Sequence, residues 1–183
     1  MTPIFVGGCP RSGTTYIRNV IASHPDVTGL TAHDFSLADQ ETNTLEGWLF
    51  HRGLSNKQIW RRMSCAMARA NTAYVVEKTP ANALIFEKIT DVFPNAILVR
   101  VWREKEPTIR SIMKASEWAP LPAERQRAEE MFRLYAEANG GISVNYDEFR
   151  DDQSAAARLY AVLGLRPHIG AVSNPEGIPG SRG

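Results

Sequence analysis

Short apolar runs and segments with helical spacing alternate along the chain. The first run, Pro3–Gly7, ends in glycine, and the following segment, Thr14–Ser23, carries apolar residues three or four positions apart. The same order recurs twice, with strands predicted at 73–76 and 96–99 and helices predicted at 81–90 and 107–116. Strands that alternate with helices indicate a parallel sheet covered on both faces.

The remaining segments extend this pattern with weaker signals. A charged helix is predicted at 123–138, a fourth strand at 142–145 and a further helix at 153–163. The polar stretch 28–53 has little periodicity, so we interpret it as an active-site loop that leads into a helix at 56–69. The tail after Pro167, rich in Gly and Pro, is expected to be irregular. The predicted fold class is α/β, with three layers in the order α/β/α around a central parallel sheet.

Composition narrows the range of functions. With 183 residues, 43% of them hydrophobic, the chain can bury one substantial core, and we expect a single domain over 1–183. Lys and Arg number 21 against 20 Asp and Glu, which gives no electrostatic reason to expect nucleic acid or a membrane surface as a partner. Cys9 and Cys65 lie far apart, which predicts two reduced thiols and no zinc. Without a signal-peptide pattern or a long apolar run, the chain is interpreted as cytoplasmic with no membrane span.

The turn between the first strand and the first helix has the composition of a phosphate-binding loop. Gly8 and Gly13 have the spacing of such loops, in which backbone N–H groups and a helix N-terminus face an anion. Thr14 replaces the usual Lys, so a nucleoside triphosphate would lack its phosphate clamp. The guanidinium of Arg11 can bind phosphate or sulfate through two nitrogens, and hydroxyls stand beside it. The predicted anion ligands are Arg11, Ser12, Gly13, Thr14 and Thr15.

The third predicted strand ends in a cation rather than a carboxylate. Kinases and nucleotide hydrolases with such loops usually hold Mg²⁺ through an acidic residue at the end of a neighbouring strand. Here the strand continues into Trp102 and Arg103, with Glu104 only after them. Arg103 is therefore suited to a second phosphate group.

The phosphate loop is one of several segments with a recognisable sequence. Residues 10–15 read Pro-Arg-Ser-Gly-Thr-Thr, and the helix behind them ends near His-Pro-Asp-Val at 24–27. Further along the chain come Glu-Lys-Thr-Pro at 77–80, Arg103 with Ser111, and Tyr-Asp-Glu-Phe at 146–149. In these segments the chain resembles the sulfotransferase family that uses 3′-phosphoadenosine-5′-phosphosulfate (PAPS).

The resemblance implies both a fold and a set of roles. It implies a P-loop sulfotransferase fold, PAPS as donor, adenosine 3′,5′-bisphosphate (PAP) as product, and no metal ion. By the resemblance, the loop holds the 5′-phosphosulfate, and Arg103 and Ser111 hold the 3′-phosphate. Lys78 follows a buried strand and is expected to lie against the sulfuryl group and neutralise the leaving phosphate. The family's usual Arg-Asp-Pro-Arg is replaced here by Arg-Glu-Lys-Glu-Pro at 103–107.

The catalytic base is sought in the segment after the first helix, where the family carries a His or a Glu. His33 is the first choice because the ordinary pKa of imidazole, near 6.5, lets the neutral ring accept a proton at physiological pH. Asp34 would serve if burial raised the pKa of its carboxyl group. Glu41 and Glu46 are further candidates for the base.

Two other functions compete with sulfuryl transfer. One is a divergent nucleotide or metabolite kinase, which would need Mg²⁺ and a triphosphate. The other is a phosphonucleotide-binding module without catalysis. For the enzyme, the expected acceptor is a small molecule or a glycan with a hydroxyl or amine group, and the sequence does not choose among such acceptors.

Overall fold

Five parallel strands form one sheet in the order β2-β3-β1-β4-β5. The computed structural model describes residues 1–35, 46, 49–116, 121–150 and 154–168. The strands are β1 (Thr2–Gly8), β2 (Val27–Gly29), β3 (Tyr74–Lys78), β4 (Ile97–Trp102) and β5 (Ile142–Asn145). The predicted α/β class with a central parallel sheet is thereby confirmed.

Seven α-helices within the described residues cover the sheet. They are α1 (Thr14–Ala22), α2 (Asn56–Ala70), α3 (Phe86–Val92), α4 (Lys105–Ala115), α5 (Pro122–Ala136), α6 (Tyr146–Arg150) and α7 (Ala155–Val162). Helix α2 begins at a capping box, in which Ser55 and Gln58 each accept a hydrogen bond from the other's backbone N–H. In the part of the chain that is described, none of the helices has the length and apolar character needed to cross a membrane.

Alternating side chains of β1 divide the core between the two faces of the sheet. Ile4 and Val6 pack with apolar residues of α1 and α7 on one face. Phe5 points the other way and packs with residues of α2 and α3. All three side chains are fully buried, which explains why the first strand reads as an unbroken apolar run.

Three local expectations were wrong. The stretch 28–53, interpreted as a loop, contributes to the edge strand β2 and contains a 3₁₀ helix at Ala32–Phe35, both too short to leave a periodic pattern. The helix predicted at 81–90 is instead a 3₁₀ helix, Pro80–Leu84, followed by α3, because Ile85 has non-helical backbone angles. Helix α6 was missed, since its five residues give hardly more than one turn.

The parallel arrangement brings distant parts of the sequence to one edge of the sheet. Strand β1 ends at Gly8, where the phosphate loop begins, and β3 ends at Lys78. Arg103 follows β4, and Tyr146 follows β5. In open α/β sheets, ligands bind at this carboxyl edge.

Candidate active site

The N-terminus of α1 is open toward the phosphate loop. Gly13 occupies the N-cap position in the left-handed conformation, with φ of 93°, and no side chain caps the helix. The first turn also lacks an acidic residue. The first N–H groups of α1 are thus available to an anion, and the helix dipole favours one there.

Two glycines allow the loop to approach its neighbours closely. A Cβ atom at Gly8 would lie 2.2 Å from the carbonyl oxygen of Val101, and one at Gly13 would lie 2.0 Å from the ring of Tyr146. Both distances are far below van der Waals contact, so a larger residue would displace the loop. The Gly8 to Gly13 spacing therefore has a steric basis in this fold.

The hydroxyl groups of the loop differ in their surroundings. Ser12 is buried, and its Oγ donates to the carbonyl oxygen of Val101 at 3.3 Å, which fastens the loop to β4. Thr14 is buried in the first turn of α1, whereas Thr15 is exposed. The roles of Ser12, Thr14 and Thr15 as anion ligands stay predictions, and Thr15 is the most accessible of the three.

Arg11 and Ser111, assigned to opposite ends of the nucleotide, lie side by side. The Nε atom of Arg11 donates to Oγ of Ser111 at 3.2 Å. Arg11 itself has φ of 70°, a left-handed conformation that costs energy for a residue with a Cβ atom. Helix α4 and the phosphate loop thus meet at this hydrogen bond, and the exposed guanidinium stays within reach of an anion.

Arg103 is held by two residues that follow β5. Its Nε donates to Oδ1 of Asp147 at 3.1 Å, and its guanidinium carbon lies 4.9 Å from the ring centroid of Tyr146. The same tyrosine ring rests against Gly13. Arg103, the residue predicted to bind a 3′-phosphate, is therefore connected to the phosphate loop through one aromatic ring.

Lys78 forms an ion pair with Glu46, one of the two further candidates for the catalytic base. Its Nζ lies 2.8 Å from Oε1 of Glu46, with 4% of the lysine side chain and 20% of the glutamate side chain exposed. An ammonium group has three N–H donors, so two of them remain for other acceptors. Glu46 is thus placed beside the lysine that was expected to face the sulfuryl group.

Tyr135 of α5 lies near both Glu46 and Cys9 of the phosphate loop. Burial, with smaller contributions from the nearby Cys9 and Glu46, raises the pKa of Tyr135 to about 12. Cys9 belongs to the loop, and burial raises the pKa of its thiol to about 12 as well. The thiol of Cys9 stays neutral at physiological pH and is a packing group rather than a nucleophile.

The two first-choice bases have surroundings unlike that of Glu46. His33 is exposed on the 3₁₀ helix Ala32–Phe35. Oδ2 of Asp34 accepts hydrogen bonds from the backbone N–H and the hydroxyl of Thr31, at 2.7 and 2.9 Å. Glu41 lies outside the described residues. The roles of His33 and Asp34 stay predictions, and the geometry draws attention to Glu46 instead.

A buried network of hydrogen bonds begins at Glu77, the residue before Lys78. Glu77 accepts hydrogen bonds of 2.6 Å from the Thr79 hydroxyl and the Asn82 amide. The Asn82 oxygen lies 3.3 Å from Nε2 of His51, so this nitrogen carries the proton. Burial lowers the pKa of His51, which keeps its ring neutral at physiological pH. Nothing in the sequence around His51 indicated this contact.

A protein-family comparison matches the Sulfotransferase family over residues 3–168. The match includes the phosphate loop and, apart from Thr2 of β1, all five strands. The chain belongs to the sulfotransferase family.

Protein-tyrosine sulfotransferases are among the relatives of this chain. The chain is 27% identical over 119 residues to a putative protein-tyrosine sulfotransferase of Caenorhabditis briggsae, covering 61% of this chain and 42% of that protein. It is 33% identical over 84 residues to human protein-tyrosine sulfotransferase 1, covering 46% of this chain and 19% of that protein. The chain therefore spans less than half the length of these relatives.

Solved sulfotransferase structures share the fold. The sulfotransferase domain of the olefin synthase of Synechococcus PCC 7002 superposes with a TM-score of 0.69 at 17% identity, over 96% of this chain and 82% of that chain. Sulfotransferase STF1 of Mycobacterium tuberculosis superposes with a TM-score of 0.59 at 18% identity, over 90% of this chain and 68% of that chain. At such identities the likeness supports the three-layer architecture alone.

Tyr146 and Asp147 were not identified as site residues from the sequence. In the sequence they stand out only as part of a family-like segment, although both directly follow the strand predicted at 142–145. Their place directly after a strand could have identified them, because the residues that follow parallel strands lie at the ligand-binding edge of the sheet. Lys78 and Arg103 also lie at the ends of predicted strands.

Proposed function

We propose that this member of the sulfotransferase family moves a sulfuryl group from PAPS to a hydroxyl or amine acceptor by in-line transfer, with PAP as the other product. The observation that carries the proposal is the placement of Arg11, Lys78 and Arg103 at one edge of the sheet, together with an uncapped helix N-terminus. Such a donor set suits a molecule with anionic groups at both ends.

The phosphate loop fits the 5′ end of the donor. The open N–H groups of α1 and the exposed side chains of Arg11 and Thr15 offer several hydrogen-bond donors to one anion. Thr14 stands where a triphosphate-binding loop would carry its lysine. A short phosphosulfate end group therefore suits this loop better than a triphosphate.

The 3′ end fits Arg103 and Ser111. Arg103 uses Nε for Asp147, and its two terminal nitrogens form no other hydrogen bond with the described residues. Two parallel N–H donors match two oxygens of a phosphate. Ser111 lies on α4, eight positions after Arg103 in the sequence. Its hydroxyl accepts from Arg11 and can still donate to a phosphate.

Lys78 and Glu46 are assigned to the chemical step. When bound, PAPS supplies an activated sulfuryl group on a phosphate leaving group. Lys78 neutralises the charge that develops on that phosphate, using the N–H donors that do not point to Glu46. Glu46 accepts the proton of the acceptor's hydroxyl or amine, so that the acceptor gains the sulfuryl group as it loses the proton.

The first acceptor class to examine is a phenolic hydroxyl. The relatives above are named for protein tyrosine, and the matched segments of this chain are 27% and 33% identical to theirs. Small alcohols, sugars and amines follow in the same screen.

Calorimetric titration with PAP in the presence of EDTA tests the donor assignment. We expect metal-free binding of PAP that is tighter than binding of adenosine 5′-monophosphate (AMP), which lacks the 3′-phosphate. Arg103→Ala should weaken PAP binding and leave AMP binding nearly unchanged, since only PAP presents the second phosphate. Arg133→Ala is the matched control, because it removes a guanidinium that is 75% exposed on α5.

The alternatives give different results in the same experiment. Binding of ATP only with Mg²⁺, and none of PAP, would reverse the assignment in favour of a kinase. Tight PAP binding without transfer to any acceptor, and unchanged by Lys78→Ala, would indicate a binding module that has no catalytic activity.

A further inference from the structure

Within the described chain, only one of the two carboxylate oxygens of Asp147 forms a hydrogen bond, which is unfavourable for a residue that serves stability alone. Oδ1 accepts the Nε–H of Arg103, but Oδ2 is buried and has no hydrogen-bond partner among the described residues. A buried polar atom without a partner lowers the free energy of unfolding. The presence of an acid at this position is therefore better explained by its contact with Arg103.

Asp147 is itself fixed in place. Its backbone N–H donates to Oδ1 of Asn145 at 3.1 Å, which shapes the turn from β5 into α6. The side chain then meets Arg103 from the end of β5, with 19% of the arginine and 30% of the aspartate side chain exposed. A partly buried pair on a constrained turn orients its partner more firmly than an exposed pair does.

Two contacts together determine the plane of the guanidinium group. Asp147 takes the Nε edge, and the ring of Tyr146 lies 4.9 Å from the guanidinium carbon. The remaining edge carries both terminal nitrogens, which have no other hydrogen bond in the part of the chain described. That free edge is the one that binds two oxygens of an anion.

We propose that Asp147 is a positioning residue that holds Arg103 by its Nε so that both terminal nitrogens face the 3′-phosphate. This inference rests on the proposed function, because it assumes that the 3′-phosphate binds Arg103. It adds to that function a residue that contacts no nucleotide atom and yet determines nucleotide affinity and the preference for a 3′-phosphate.

Electrostatics and positioning predict effects of opposite sign. Asp147 carries a negative charge close to an anion site, so removing it should tighten anion binding if charge were its only influence. If Asp147 orients Arg103, its removal should weaken PAP binding, because the guanidinium loses its fixed plane. The direction of the change therefore separates the two explanations.

Calorimetric titration of two matched alanine variants measures that direction. Asp147→Ala and Glu148→Ala each remove one acid from α6, but Glu148 is exposed and bonds to Asn145 rather than to Arg103. We expect Asp147→Ala to weaken PAP binding about tenfold and to leave AMP binding within about twofold. Glu148→Ala should leave PAP binding unchanged or slightly tighter.

A double-mutant cycle with Arg103→Ala tests whether Asp147 acts through that arginine. In the Arg103→Ala background, Asp147→Ala should have no further effect on PAP affinity. Asp147→Asn, which keeps an oxygen acceptor for Nε, should recover part of the loss and serves if the alanine variant is unstable. Preserved AMP binding in each variant reports an intact phosphate loop.

The results separate the inference from the function on which it rests. Wild-type chain that fails to prefer PAP over AMP would overturn the proposed function, and the role of Asp147 with it. A normal preference for PAP in the wild type, combined with unchanged or tighter binding by Asp147→Ala, would overturn the positioning role alone. Additive losses in the double variant would equally show that Asp147 does not act through Arg103.

Discussion

The Nζ atom of Lys78 lies 2.8 Å from Oε1 of Glu46, in an ion pair that is mostly shielded from solvent. In the proposed sulfuryl transfer, each partner alters what the other can do. Lys78 holds the carboxylate near the place assigned to the leaving phosphate, and Glu46 partly neutralises the site before the anionic donor arrives. Its position beside Lys78, the lysine assigned to the leaving phosphate, makes Glu46 our first candidate for the base among the described residues.

Glu46→Gln should therefore abolish most of the sulfuryl transfer while leaving nucleotide binding intact. The amide keeps the shape of the side chain and can contact Lys78, but it cannot accept a proton. We expect kcat with a phenolic acceptor at saturating PAPS to fall about 10²–10⁴-fold. PAP affinity, measured by calorimetry, should change little.

His33→Asn and Asp34→Asn are the matched variants for this comparison, because they remove the two bases first predicted from the sequence. Each should keep kcat within a few-fold of the wild-type value if Glu46 is the base. Loss of transfer in either variant, with Glu46→Gln still active, would return the role to the 33–34 segment.

The sequence was sufficient wherever the controlling interactions are local or follow from topology. Strand β1, its loop and α1 are continuous in sequence, and parallel alternation alone predicts that Lys78 and Arg103 reach one edge of the sheet. The pairs that complete the site are not local. Glu46 precedes Lys78 by 32 positions, and Asp147 follows Arg103 by 44. No periodic pattern connects such residues, so only the packed structure identifies them.

Gly13→Ala should destabilise the protein and remove nucleotide binding. The new methyl group would meet the Tyr146 ring at 2.0 Å, and φ of 93° is unfavourable for alanine. The left-handed conformation alone costs about 1–2 kcal/mol, and the steric clash adds to that cost. Thermal unfolding and PAP titration measure the two effects.

Gly53→Ala is the control, because Gly53 also has a positive φ but an added methyl group there would meet no neighbour among the described residues. Gly53 has φ of 67°, but a Cβ atom there would meet nothing within 4 Å. Its loss of stability should be smaller than that of Gly13→Ala, and PAP binding should be unaffected. Tyr146→Ala in the Gly13→Ala background should recover part of the stability, and additive losses in that double variant would argue against the clash.

Asn82→Ala should destabilise the fold at the buried carboxylate of Glu77. The Asn82 amide donates to Oε2 of Glu77 at 2.6 Å, and Glu77 is almost completely buried. Loss of a donor to a buried charged acceptor costs about 1–3 kcal/mol. Denaturant unfolding should show this decrease, and Asn82→Asp should be worse because it sets a second carboxylate against the first. A variant as stable as the wild type would mean that the other contacts of Glu77 suffice.

His51 should make the folded protein less stable as the pH falls below about 6.5. Burial lowers the pKa of His51 in the folded state below the ordinary value of 6.5, so the unfolded state binds more protons in this range. The free energy of unfolding from this group is then fully present above pH 6.5 and is lost as the pH falls through the folded-state pKa. Denaturant unfolding between about pH 5 and 7.5 measures the effect.

The comparison of wild type with His51→Gln isolates this contribution from the other titrating groups. The variant lacks the imidazole, so the stability advantage of the wild type should be largest near pH 7.5 and should shrink as the solution is acidified. His33→Asn, which removes an exposed imidazole, is the control for the loss of a surface histidine over the same pH range. If the stability advantage of wild type over His51→Gln grew toward low pH, the folded state would favour the protonated ring. That result would contradict burial as the dominant influence on the pKa of His51.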